Sequence, residues 1–143
     1  MADNRLFSSI GSLVHELRGA ATYILGVYEV LEQKMPAAAQ ELWNDFGRIS
    51  ERVLIDIEDQ MGNILVNIDS YSPATASARI DELARGWEKD AAQLALISDK
   101  ISNLQIQLED PDLNMILSEY LPSGIRGFGR IVSFARQIRP EDL

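Results

Sequence analysis

His15 is the single histidine in a chain of 143 residues that contains no cysteine. Thiolate catalysis, disulfides and thiolate metal sites are therefore outside its chemistry. A neutral imidazole is a nucleophile, and phosphorus is an electrophile it can attack. A metal centre would need several carboxylates around this one nitrogen donor, and no Glu-x-x-His pair is present, so no metal and no resident cofactor is expected. On a helix, the neighbours of His15 are the residues three, four and seven positions away. They are Gly11, Ser12, Arg18, Gly19, Ser8 and Thr22, with Gly26 a turn further on. Apart from Arg18, all are small. A glycine inside a helix costs about 1 kcal/mol relative to alanine, so this strip gives up helix propensity to stay flat around an imidazole. Close approach by another protein surface would require such a face.

The elements that must carry this strip are helical. Met35-Pro36, Ser72-Pro73 and Asp110-Pro111 divide the chain into four segments, and almost no β-branched alternation suggests strands. The first segment has an apolar seam at Leu6, Ile10, Leu13, Leu17, Ala20, Ile24, Val27 and Leu31. Its steps of three and four are those of a bundle helix. The second, roughly 38–71, runs through Leu42, Phe46, Ile49, Val53, Ile57, Met61, Ile64 and Ile68, with a stutter of two four-residue steps from Val53 to Met61. The third, about 77–108, uses Ile80, Leu83, Trp87, Ala91, Leu94, Ile97, Ile101 and Leu104, with Thr75 as its expected N-cap. The fourth opens on Asp110 as N-cap and Pro111 at the first helical position. Pro122 should kink or break it, with helix resuming over about 125–138.

The expected fold is all-α: one domain over 1–143, an antiparallel up-down-up-down four-helix bundle with long helices, the last kinked near Pro122. Its halves are helical hairpins over 5–71, which carries His15, and 75–139. A homodimer in which the first hairpin is the dimerising unit is left open. Trp43 and Trp87 read as core packing, and Asp56, Glu58 and Asp59 as a solvated face.

Charge narrows the partners. The formal net charge is −9 and the pI near 4.5, which argues against nucleic acid. No apolar run reaches the length of a membrane span, and MADNRLFSS lacks the features of a signal peptide. A cytoplasmic protein with no membrane association is expected. The basic residues concentrate late: Arg126, Arg130, Arg136 and Arg139 lie in a stretch free of acids between Glu119 and Glu141. Such cations suit a helix C-terminus. If the last helix runs antiparallel beside the first, Arg126 and Arg130 fall near the level of His15.

The stretch LVHELRGAATYILGVYEVL resembles the H-box of histidine-kinase dimerisation and phosphoacceptor domains, whose usual form is HELRTPLTAILGYAELL. The likeness covers His15, Glu16, Leu17, Arg18, Thr22, Ile24, Leu25, Gly26, Glu29 and Leu31. A shorter stretch, HELRGAA, is similar to the His-x-Leu-Lys-Gly-Ser-Ala of histidine phosphotransfer domains, themselves four-helix bundles. The resemblance implies that His15 is the phosphoacceptor, Glu16 its acid–base neighbour and Arg18 a holder of the phosphoryl group. It departs from the kinases at Gly19 and Ala20, which stand where Thr-Pro is usual, so it does not extend to their phosphatase activity. GFGRIV, at 127–132, has a short likeness to a glycine box of kinase ATP-binding domains. It lies on a helical pattern without the other boxes and is read as helix.

What the resemblance implies is a two-component phosphorelay protein rather than an enzyme. With no room for an ATP-binding domain, His15 would take a phosphoryl group from the aspartate of a response-regulator receiver domain and pass it to another. The receiver would bring the Mg²⁺. Ser8, Gly11, Ser12, Gly19, Thr22 and Gly26 would form the docking face for that receiver or for a sensor kinase, and Arg126 and Arg130 would contact phosphate or partner. The alternative is a kinase-derived bundle that has lost phosphotransfer and serves to dimerise or to dock a signalling partner.

Overall fold

The computed structural model describes residues 4–143; the stretch MADNRLFSS, expected not to be a signal peptide, begins with residues 1–3, which lie outside them. The long helices are α1 (Asn4–Leu31), α2 (Gln40–Val66) and α3 (Pro73–Asn103), followed by a short α4 (Pro111–Met115) and by α5 (Leu121–Gln137). No strand occurs among the described residues. Four helices pack together: α1 lies against α2 and α5, and α3 lies against the same two. No helix among the described residues is long and apolar enough to cross a membrane.

The seams hold in spacing but shift in detail. Leu6, Ile10, Leu13, Leu17, Ile24 and Leu31 are all buried on α1, yet Ala21 rather than Ala20 completes the line. Val53, Ile57 and Met61 are buried together, so the stutter in α2 is real. Elsewhere the innermost residue is often the neighbour of the expected one. Ser50 is buried and Ile49 only half-buried; Ala84 replaces Leu83, and Ser98 replaces Ile97. Small residues let the helix backbones come close while the larger side chains splay to the sides of the contact. Leu42 likewise yields to Trp43, and Leu104, expected in the seam, is exposed.

Trp43 and Trp87 are core residues, as their apolar bulk suggests. Trp43 stacks between Tyr28 (centroids 5.5 Å apart) and Phe46 (5.0 Å), while its Nε1 finds no acceptor. The Tyr28 ring lies over Gly47, where an added Cβ would fall 2.2 Å from it. Burial, then the nearby Glu32 carboxylate, raises the Tyr28 phenol above its ordinary pKa. Trp87 Nε1 donates instead to Asp56 Oδ2 at 2.8 Å. Asp56 is therefore half-buried and structural, while Glu58 and Asp59 are exposed as expected of a solvated face.

Helix ends follow local chemistry. Ser72, not Thr75, caps α3. Thr75 N donates to Ser72 Oγ (3.1 Å) and Ser72 N donates to Thr75 Oγ1 (2.9 Å), with Pro73 at the first helical position. This reciprocal box satisfies two otherwise orphaned donors. Asp110 caps α4 as anticipated, accepting from Asp112 N at 2.9 Å. The break expected at 121–124, with helix resuming near 125, is absent: α5 starts at Leu121 and runs through Pro122. The irregularity lies just before it, in one π-helical turn, Ile116–Tyr120. Proline has no N–H, so the Ser118 carbonyl loses its α-helical donor, and the ladder widens at that point.

Candidate functional site

His15 lies in the middle of α1, and its position follows from the seam. It is two residues from both Leu13 and Leu17, hence about 200° around the helix from each. Both leucines are buried, so the imidazole faces outward and is exposed. Ser8, Ser12, Gly19 and Thr22 on the same strip are exposed, and Gly11 and Gly26 are partly so. A Cβ built on Gly11, Gly19 or Gly26 would meet nothing within 4 Å. Nothing among the described residues fills this strip, so these three glycines do not admit a neighbouring helix of the bundle. Gly47 and Gly124 do admit neighbours: a Cβ on Gly124 would lie 2.7 Å from the Tyr23 ring. Gly127 and Gly129, by contrast, meet nothing.

No hydrogen bond or ion pair reaches His15, Glu16 or Arg18 from any described residue. Glu16 therefore does not hold the imidazole in this structure, and the three side chains stand free on the outside of α1. Among the described residues there is no group of three or more His, Asp or Glu arranged to hold a metal ion.

The late cluster of arginines divides in two. Arg136 is engaged: it donates to Glu88 at 2.9 Å and lies 3.5 Å from Asp81, partners that raise its pKa. Arg139 pairs with Glu141 at 3.8 Å. Arg126 and Arg130 are exposed and pair with no carboxylate among the described residues. Arg48, Arg52, Arg79 and Arg85 all have acidic partners. In a chain of 22 acids and 13 bases, the arginines left without a carboxylate thus include Arg18 on α1 and this pair on α5. No hydrogen bond or ion pair among the described residues joins Arg126 or Arg130 to His15. Arg126 lies two residues before the buried Phe128 and Arg130 two residues after it, about 200° around α5, and both are exposed.

A further feature is only faintly marked in the sequence. Where the end of α3, the segment leading to α4 and the start of α5 converge, they form a partly open cavity of about 530 Å³. Its one visible trace in the sequence is a run of small polar residues, Ser98 and Ser102, where the α3 seam should stay apolar. No family model, curated protein or solved structure matches the chain.

Proposed function

We propose that the protein is a phosphorelay intermediate of a two-component system, with His15 as the group that accepts and donates the phosphoryl group. The observation that carries this reading is an exposed, unpartnered imidazole on an outward strip of glycines that no part of the bundle covers. The H-box likeness of residues 13–31 supports it. The neutral imidazole nitrogen attacks the phosphorus of a receiver's acyl phosphate; an N–P bond forms, the O–P bond breaks, and the aspartate carboxylate leaves with the electron pair. Such transfer depends on positioning and charge neutralisation. Arg18, one turn from His15 and free of any carboxylate, is available to pair with the phosphoryl oxygens. The metal comes with the receiver.

The chain order we favour is an up-down-up-down bundle. Contacts between α2 and α3 support it, since residue numbers rise on one helix as they fall on the other: Arg52 with Asp90, Asp56 with Trp87, Gln60 with Arg79. Tyr23 beside Gly124 and Arg5 beside the Glu141 carbonyl suggest the same for α1 and α5. Equal counting between those two contacts sets Arg130 at the height of Glu16 and Leu17. A partner landing on α1 and overlapping α5 would meet its cations, which suits an acidic protein surface.

A second reading has its own observation. No side chain orients the imidazole, and the usual Thr-Pro after it is Gly19-Ala20. In this reading the strip docks a signalling partner without chemistry. Incubation with receiver domains carrying radiolabelled phosphate separates the two. Label that survives base, is lost in acid and disappears in His15→Gln is the expected result. No label from any charged receiver, with partner binding intact in His15→Ala, would leave docking alone.

A further inference from the structure

We propose that the cavity between the end of α3, α4 and the start of α5 is a binding site for a small uncharged molecule, with an apolar face and two or three hydrogen-bonding groups. At about 530 Å³ it falls in the size range of small-molecule sites. Its walls divide by chemistry. Ile101, Leu117 and Leu121 give one apolar side, while Ser98, Ser102, Gln105, Gln107 and Ser118 give a polar one. No charged residue lines it. The polar wall is itself exposed at Ser102, Gln105, Gln107 and Ser118. A charged ligand would therefore keep part of its water but find no counter-charge for what it lost, whereas a neutral one needs none.

Three features point to a site rather than a packing fault. The first is Ser98. Buried serines of this bundle otherwise satisfy themselves on their own helix: Ser50 Oγ donates to the Phe46 carbonyl at 2.7 Å, and Ser77 Oγ to that of Ala74 at 3.1 Å. Ser98 is 8 % exposed, makes no hydrogen bond within the described chain and lines the cavity. Its hydroxyl is not sealed in the core, since among the described residues Trp43 Nε1 is the one fully buried side-chain polar atom without a partner. The direction left open to it is the cavity it lines.

The second is Gln105. It has φ 54°, and no other non-glycine described residue has a positive φ. This is the left-handed position that ends a helix and normally selects glycine. The chain keeps a glutamine there, and that residue lines the cavity. The third is a braced wall. Asn114 Oδ1 accepts from Leu108 N at 3.0 Å, and its Nδ2 donates to Gln107 Oε1 at 3.1 Å. This clamp fixes the connecting segment and leaves the Gln107 amide hydrogens unclaimed. The opposite wall is the π turn, a distortion that recurs at functional sites. The cavity is independent of His15, and its failure would leave the phosphorelay reading untouched.

The test is a titration of the ¹⁵N-labelled protein with adenosine, thymidine and benzamide, each against a charged counterpart: adenosine monophosphate, thymidine monophosphate and benzoate. At least one neutral probe should move the amide signals of Ser98, Ser102, Gln105 and Ser118, with its charged counterpart at least tenfold weaker. Gln105→Gly should weaken that probe at least fivefold while the melting temperature holds or rises, because glycine suits the backbone there. Ser98→Ala should weaken it similarly. Absence of shifts with all three neutral probes at millimolar concentration would overturn the proposal. Equal binding of charged counterparts would do the same, as would unchanged affinity in Gln105→Gly.

Discussion

Gly47 and Gly19 are both glycines inside long helices of one bundle, yet they answer to different constraints. Gly47 is buried beneath the Tyr28 ring, which itself stacks on Trp43. Any larger residue must push that ring aside. Gly19, like Gly11 and Gly26, faces open space, and folding asks nothing of it that alanine would not do better. Gly62, Gly86, Gly127 and Gly129 face open space as well; what sets Gly11, Gly19 and Gly26 apart is that they share one strip with His15. The inner face of α1 stabilises the molecule; the outer face costs it stability.

The widest contrast comes from alanine at the open positions. Gly11→Ala, Gly19→Ala and Gly26→Ala together should raise unfolding stability by about 3 kcal/mol, roughly 1 kcal/mol each. Their spacing along α1 makes them nearly additive. Urea denaturation reads the gain, and transfer of phosphate from a charged receiver should fall in the same variant. A triple variant that is no more stable, or that loses nothing in transfer, would remove the reason for setting this strip apart. The same substitution at Gly47 should have the opposite sign. Gly47→Ala is expected to cost about 2 kcal/mol through overpacking and loss of the Tyr28 stack, visible as a lower urea midpoint and a changed near-ultraviolet aromatic signal. A neutral Gly47→Ala would mean that Tyr28 swings away freely, and the two classes of glycine would merge.

The smallest effect concerns charge at a helix contact. Asp90 is mostly shielded, with 19 % of its side chain exposed, and accepts from Arg52 at 2.6 Å. Burial nonetheless raises its pKa, aided by Asp56 and opposed by Arg52. A carboxyl with a raised folded value contributes stability while protonated, and that contribution is lost as pH rises through the folded value. Asp90→Asn should therefore gain on the wild type between about pH 3, below the ordinary carboxylate range, and neutrality. Parallel urea titrations at the two ends of that window measure it. A variant that loses ground as pH rises would show that Arg52 outweighs burial.

The sequence was most legible where one face of a helix had to be apolar. Spacing located the seams, the stutter from Val53 to Met61 and the outward aim of His15, and residue type located the Asp110 cap. It misjudged which residue lies deepest, choosing Leu83 and Ile97 over Ala84 and Ser98. Hydrophobicity ranks residues by affinity for water, whereas closest approach between helices selects for size. Charge pairing was illegible for a different reason. Arg136 meets Glu88 and Asp81, residues remote in sequence, so nothing local distinguished it from Arg126 or Arg130. The cavity near Ser98 arises from three separate segments, and no single one of them carries its signature.

The π turn before Pro122 has a consequence for the last helix of the bundle. A turn that closes over five residues rather than four takes in one residue more than an α-turn, and so rotates everything after it by about 100°. Leu121, Ile125, Phe128, Val132 and Ala135 reach the core in the phase set by that added residue. Removing a single residue between Ile116 and Tyr120 would take out that added residue. It would also turn this seam toward solvent, aiming Arg126 and Arg130 elsewhere. The distortion works as a phase shifter, and the direction in which α5 presents its cations is set there.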